Sequence, residues 1–208
     1  GKPSFKDYEG FPATLCVSVN NVIVHGLPSV KPLAEGDIVS LDIGIFFKPE
    51  KFSQTKNSTV DRSTVLNLPN LKDGFHLDMA QTFAVGRISP LAKKLIKVTH
   101  QALEMALKEV KPGKHFGDIE WATQNYVESQ GFNVVRQFCG HGIGRQLHED
   151  PQILNLGKRG TGPEIVEGMV FCIEPMVTVG HWQLEESRLI SSISEIPANA
   201  EGILLISA

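Results

Sequence analysis

Apolar and polar positions alternate with a period of two along Leu15-Cys16-Val17-Ser18-Val19, and Asn20-Asn21 breaks the run. That pattern predicts a half-buried strand and a turn, with Val22-Ile23-Val24 as a second short strand ended by His25-Gly26-Leu27-Pro28. After the turn at Gly36-Asp37, residues 38–47 form a strong strand with Asp42 in its middle, and Gly74 to Val85 forms another that carries Asp78. Residues 48–72 break the pattern. They are rich in Ser, Thr, Asn, Lys and Pro and read as a long surface loop or insertion. The period then changes. Ser89 is an N-cap, Pro90 a first-turn proline, and Leu91, Leu95, Val98, Ala102, Met105 and Ala106 recur at helical spacing up to Val110. A second helix spans about Asp118 to Gln130, with Ile119, Ala122 and Tyr126 as its buried stripe and Gly131 as C-cap. Strands are expected again at Val134–Phe138 and Met169–Met176, followed by Leu189-Ile190 and the run Ile203 to Ile206. The order strands, two helices, strands argues for an α+β fold with a largely antiparallel sheet.

Composition narrows the class. A chain of 208 residues falls near the usual size of one domain, residues 1–208, and is long enough to bury roughly 70% of its unfolded surface without staples. With 41% hydrophobic and 21% charged residues it is neither disordered nor membrane-spanning, and no apolar run approaches the ~20 residues of a transmembrane helix. A net charge of -3 argues against nucleic acid as the main partner. The polar opening Gly1 to Lys6 is no signal peptide, and three scattered cysteines without a Cys-x-x-Cys fit reduced thiols in a cytoplasmic setting. Nothing in the sequence signals an oligomer, so a monomer is expected.

The chemistry lies in three acids that interrupt apolar strands: Asp42 between Leu41 and Ile43, Asp78 between Leu77 and Met79, and Glu174 after Phe171-Cys172-Ile173. Burying a carboxylate costs several kcal/mol unless it is paired or coordinates a cation. One such acid is most often a satisfied structural carboxylate; three in one short chain point to a metal cluster. His141 stands between Gly140 and Gly142. Gly-His-Gly-x-Gly alone reads as a turn, but beside the acids it becomes a histidine/carboxylate site. Glu149 and Asp150, after His148, read as solvated loop acids. Carboxylates with one imidazole suit Zn, Mn, Fe(II) or Co, and two cations ~3.5–4 Å apart require bridging carboxylates. A hydroxide held between them would attack a carbonyl, a nearby glutamate would carry the proton, and neutral histidines at the rim would stabilise the oxyanion. Gly-x-Ser-x-Gly, the phosphate-loop pattern and His-Glu-x-x-His are absent. Cys139 near His141 suggests a thiol nucleophile only weakly, on the expectation that the two point apart.

Several motifs, in order, resemble type I methionine aminopeptidase. They are Tyr8-x-Gly-Phe-Pro-Ala-x-x-Cys-x-Ser-Val-Asn through Val24-His25-Gly26-Leu27-Pro28, Gly36-Asp-Ile-Val-x-Leu-Asp42, Gly74-Phe-His-x-Asp78, Cys139-Gly-His-Gly-Ile-Gly, His148-Glu-x-Pro and Ile173-Glu-Pro-Met176. The resemblance implies the pita-bread fold, two pseudo-symmetric α+β halves around two divalent metal ions. It places Asp42 on the second metal, Asp78 between both, and His141 and Glu174 on the first, with Glu174 also handling the proton. His148 would contact the scissile peptide and His25 the substrate near its free amine. Tyr8 and Phe11 would line the methionine pocket, where a thioether packs well on aromatic rings. The last bridging acid would be Glu201, which an apolar run follows, with Glu195 as the alternative.

The chain also departs from that family. The family's N-terminal helical segment is missing, residues 48–72 lengthen the link between Asp42 and Asp78, and Leu147 replaces a usual aromatic. Phe5 stands where a small residue is common, the hairpin after Met176 is shortened, and Trp182 lies too early for the expected tryptophan. No cysteine-rich zinc module is present. The expected activity is removal of the initiator methionine from nascent chains and peptides. An X-Pro-type pita-bread peptidase and a metal-free pita-bread binding protein are the alternatives.

Overall fold

The computed structural model describes residues 1–48 and 73–186, with backbone alone at Glu186, Ser194–Glu195 and Gly202–Leu204. The expected insertion lies outside the described residues from position 49 onward, as do Leu189-Ile190, Glu201 and the end of the last apolar run.

The first half is built on two long strands, β4 (Ile38–Phe47) and β5 (Phe75–Ala84), paired antiparallel from Ile38↔Ala84 to Phe47↔Phe75. The other edge of β4 is shared by β1 (Lys2–Pro3) and β2 (Cys16–Val19), both antiparallel. Period-two alternation sorts the side chains in an inverted sense. Leu41, Ile43, Ile45, Phe47, Leu77, Met79 and Phe83 face outward and are 36–57% exposed, whereas Ser40, Asp42, Asp78, Ala80 and Thr82 face inward and are buried. Ser40 Oγ and Thr82 Oγ1 satisfy each other at 2.7 Å. The acids are less well satisfied: Asp42 and Asp78 share a hydrogen bond, yet each keeps one buried oxygen without a partner among the described residues, and the fold therefore concentrates its electrostatic cost at one place.

In the second half, α1 (Pro90–Glu109) and α2 (Phe116–Ser129) pack beside the antiparallel sheet β12 (Gly202–Leu204), β9 (Met176–Thr178), β6 (Asn133–Val134). Ser89 caps α1 by accepting a hydrogen bond from Ala92 N at 3.0 Å, as its sequence predicts. Leu95, Val98 and Ala102 of α1 and Val127 of α2 form one core with Val134 and Val177. Each fully buried aliphatic side chain there stabilises the fold by about 1.5–3 kcal/mol. A hairpin of β7 (Cys139–Gly142) and β8 (Glu149–Leu154) joins the halves, and β3 (Val22–Val24) pairs with β11 (Ser194–Glu195), itself paired with β10 (Glu185–Glu186).

Four expectations need correction. Helix α2 begins at Phe116, not Asp118: Asp118 is the third residue of the first turn and reaches back to accept from His115 N at 3.0 Å. The C-cap of α2 is Gln130; Gly131 follows it with φ 82°, the left-handed residue that ends the helix. Of the strands expected at 134–138 and 169–176, the first is only Asn133–Val134, and the second starts only at Met176 and runs to Thr178. Pro175 has no N–H to give a ladder, and the Met176 N–H is taken instead by the buried Asn155 side chain at 3.3 Å. Glu149 and Asp150 open strand β8 rather than a solvated loop; the half-buried Glu149 carboxylate accepts from Gln146 N at 2.7 Å, while Asp150 is exposed.

Candidate metal centre and substrate cleft

Strand register assembles the acids. Asp42 stands opposite Ala80 and Asp78 opposite Gly44, so the two are diagonal neighbours on the inner face of β4 and β5, roughly 7 Å apart at Cβ. Glu174 reaches the same point from the segment that precedes β9, and His141 from β7. The three carboxylates are 6%, 6% and 8% exposed. In each, one oxygen is buried with no hydrogen-bond partner among the described residues: Asp42 Oδ1, Asp78 Oδ1 and Glu174 Oε1. Such orphaned acceptors are rare in native proteins and call for a counter-charge.

The imidazole of His141 points the same way. Its Nδ1 donates to Gly142 O at 2.8 Å, which places the proton of the neutral ring on Nδ1. Nε2, with its lone pair, then faces Glu174 Oε1 at 3.2 Å. Two lone pairs at that distance repel unless a proton or a cation lies between them. Burial and the neighbouring Asp78 and Glu174 push the Asp42 carboxyl up to about 9. Burial also raises Asp78 to about 7, with its hydrogen bond to Asp42 opposing the shift, Glu174 adding to it and His141 opposing it. For His141, burial pulls the pKa down, but Glu174, the Gly142 carbonyl and Asp78 outweigh it, and the net shift is upward. The cluster thus holds protons at neutral pH when it holds no cation. Oxygen donors with one imidazole fit a divalent first-row metal.

The glycines around His141 are set by crowding rather than by a turn. A Cβ on Gly140 would lie 2.2 Å from Cys172 O, and one on Gly142 would lie 2.2 Å from Asp150 O. Strand β7 is squeezed between β8 and the Phe171–Glu174 segment, and only glycine permits both approaches. The expectation that Cys139 and His141 point apart also fails, because residues two apart on a strand share a face. Both border the same cleft. Burial, followed by Glu174 and Glu120, raises the Cys139 thiol, which keeps it protonated and poorly nucleophilic.

That cleft has a volume of about 1150 Å³, with the acids and His141 at its floor and Tyr8, Phe11, His25 and His148 among its walls. Tyr8 Oη and His148 Nδ1 are hydrogen-bonded at 2.9 Å, and the His148 ring stands edge-on to His141 with centroids 4.4 Å apart. Partial burial and the neighbouring His141, His25 and His76 hold the His148 pKa below its ordinary value, so the ring is neutral at pH 7. His25 adopts φ 59° and packs edge-on against Phe138 at 5.7 Å. The structure therefore brings together Tyr8, Phe11, His25, Asp42, Asp78, His141, His148 and Glu174. Glu201 lies outside the described residues, and Glu195 is in β11, opposite Val22 of β3.

Sequence reasoning missed two cysteines. Cys16 stands directly opposite Asp42 and is 4% exposed. Cys172 is fully buried beside Asp78 and His141. The available signal was spacing: Cys172 precedes Glu174 by two residues in an extended segment and so shares its side.

Comparison with known proteins identifies the family. The model of metallopeptidase family M24 matches residues 65–195. The chain is 42% identical to a methionine aminopeptidase of Clostridium perfringens over 88% of its own length, and it spans 64% of that relative. The methionine aminopeptidase structure from Rickettsia prowazekii superposes with a TM-score of 0.84 at 34% identity, covering 98% of this chain and 72% of that one. The Thermotoga maritima methionine aminopeptidase structure gives 0.82 at 38% identity, covering 99% and 72%. The matched family model, the superposed folds and the sequence identity lead to one conclusion: the chain belongs to metallopeptidase family M24 and, within it, to the methionine aminopeptidases.

Proposed function

We propose that the protein is a metal-dependent aminopeptidase that removes the N-terminal methionine from nascent chains and peptides, acting as a monomer in the cytoplasm. The observation that carries this reading is that three buried carboxylates, each with an oxygen that accepts no hydrogen bond among the described residues, line one cleft with His141, whose Nε2 lies 3.2 Å from Glu174 Oε1. Asp42, Asp78, His141 and Glu174 would hold two divalent ions, with Glu201 completing the set. Such ions lower the pKa of a water toward neutrality and polarise the scissile carbonyl.

The chain's own residues supply the rest. Glu174 accepts a proton from the attacking water at a carboxylate oxygen and returns it to the leaving amine. In the tautomer in which Tyr8 Oη donates to Nδ1, the neutral His148 carries its proton on Nε2 and donates it to the developing oxyanion. His25, on the wall of the cleft, contacts the substrate near its free amine. Tyr8 and Phe11 offer ring faces to the methionine thioether, a contact worth about 0.3–1.5 kcal/mol.

A pair of peptides tests the specificity. Protein stripped by chelator and reloaded with Co or Mn is expected to cleave Met-Ala-Ser and leave Ala-Pro-Ser intact. Cleavage of the Ala-Pro bond alone would replace this reading with an X-Pro peptidase. Full loading without cleavage of either would favour a binding protein.

A further inference from the structure

The methionine aminopeptidase reading needs only oxygen and nitrogen ligands, yet a thiol lies among them. Cys172 Sγ, a ring nitrogen of His141 and a carboxylate oxygen of Asp78 all lie within 4.8 Å of one another. Cys172 is fully buried and is not in a disulfide. Its backbone is fixed against β7, with Cys172 N donating to His141 O at 2.7 Å and Cys172 O occupying the space a Cβ on Gly140 would need. An independent observation points to a ligand at this spot: Asp78, 6% exposed, has a buried oxygen with no hydrogen-bond partner among the described residues.

We propose that Cys172 is a sulfur ligand, or exchanges into the ligand set, for the cation held by Asp78 and His141. This rests on the metal-centre reading above and adds a donor to it. Metal–ligand bonds of about 2.0–2.3 Å separate the ligand atoms of a tetrahedral site by roughly 3.3–3.8 Å. The three atoms would draw in on binding from separations of up to 4.8 Å to that spacing. On binding, the S–H bond breaks as the sulfur–metal bond forms, the proton passes to solvent, and no electron is transferred. A mixed sulfur, nitrogen and oxygen donor set selects zinc, cobalt or cadmium over manganese and magnesium, because thiolate is the softest donor available to the site.

The test is optical and uses the whole chain. Protein stripped by chelator is titrated anaerobically with cobalt(II). The expected result is a thiolate-to-cobalt charge-transfer band in the near ultraviolet that grows together with the visible ligand-field bands. Cys172→Ser is expected to keep the ligand-field bands, lose the charge-transfer band, and lose at least about tenfold in zinc affinity relative to manganese. Cys16→Ser and Cys139→Ser are expected to retain the charge-transfer band. Ligand-field bands without charge transfer in the unmutated protein overturn the sulfur ligand and leave the metal centre standing. A charge-transfer band that survives in Cys172→Ser overturns it too. No cobalt binding overturns both. Cadmium-113 resonance of the unmutated protein checks the same point without a variant: a shift typical of sulfur ligation supports it, and one typical of oxygen and nitrogen alone refutes it.

Discussion

Replacing Tyr8 with Phe tests whether His148 is held ready to donate at the carbonyl. The substitution deletes one oxygen, the partner of His148 Nδ1 at 2.9 Å, and leaves the aromatic ring that meets His148 edge-on with centroids 5.2 Å apart. The methionine wall therefore keeps its shape. What is lost is one hydrogen bond, with a net worth of about 0.5–1.5 kcal/mol. Without it the imidazole is free to rotate and to place its proton on Nδ1, which removes the donor from Nε2. If that bond is fully in force in the transition state, kcat falls by roughly 2- to 12-fold, since about 1.4 kcal/mol is a factor of ten. The assay is steady-state cleavage of a Met-Ala-Ser peptide with bound metal counted on the same sample. The expected pattern is a lower kcat, a KM changed little, and unchanged metal content. An unchanged kcat would refute the role given to the Tyr8–His148 bond, and lost metal would show that Tyr8 supports the cation site instead.

Asp78→Asn replaces the carboxylate proposed to bridge the ions by a neutral amide, and metal content by atomic emission and activity are expected to fall together. His148→Ala is expected to keep its metal and lose activity by more than Tyr8→Phe; metal loss in that variant would make His148 a ligand. Gly140→Ala forces a methyl group to within 2.2 Å of Cys172 O, so denaturant unfolding is expected to show a loss of about 1–3 kcal/mol or more. Chelated protein should lose stability as pH rises: Asp42 titrates near 9 and Asp78 near 7 when folded, both above the ordinary carboxylate value, so the folded state binds more protons than the unfolded one and its advantage fades through that range. Thermal melts of the metal-free protein between about pH 5 and pH 9 check this, and Asp42→Asn is expected to flatten the slope.

The acids were legible in the sequence because a carboxylate in an apolar strand breaks a pattern that only function or pairing sustains. Asp42, Asp78 and Glu174 each interrupt such a run, and the structure buries all three. The inverted sense of the β4–β5 sheet was not legible, since period two fixes which residues share a face but not which face turns inward. His141 was found by its glycines for the wrong reason: they answer crowding from Cys172 O and Asp150 O, contacts that exist only once three segments are packed. The Tyr8–His148 bond joins residues 140 positions apart and has no local signature. Cys172 was hidden because a cysteine in an apolar run is ordinary. The strands before and at Met176 are shorter than their apolar runs suggest, and at the start of β9 the side chain of Asn155, just past the end of β8, takes the Met176 N–H, a contact with no local signature.

The most direct test puts metal and product on one sample. Protein stripped by chelator is reloaded with increasing Mn or Co, and bound ions and released methionine are measured together at neutral pH. If the three orphaned carboxylates and His141 are the metal centre, methionine release rises in step with binding to a limit of two ions per chain. Methionine release from the fully stripped protein, or saturation with metal and no release at any loading, would contradict it.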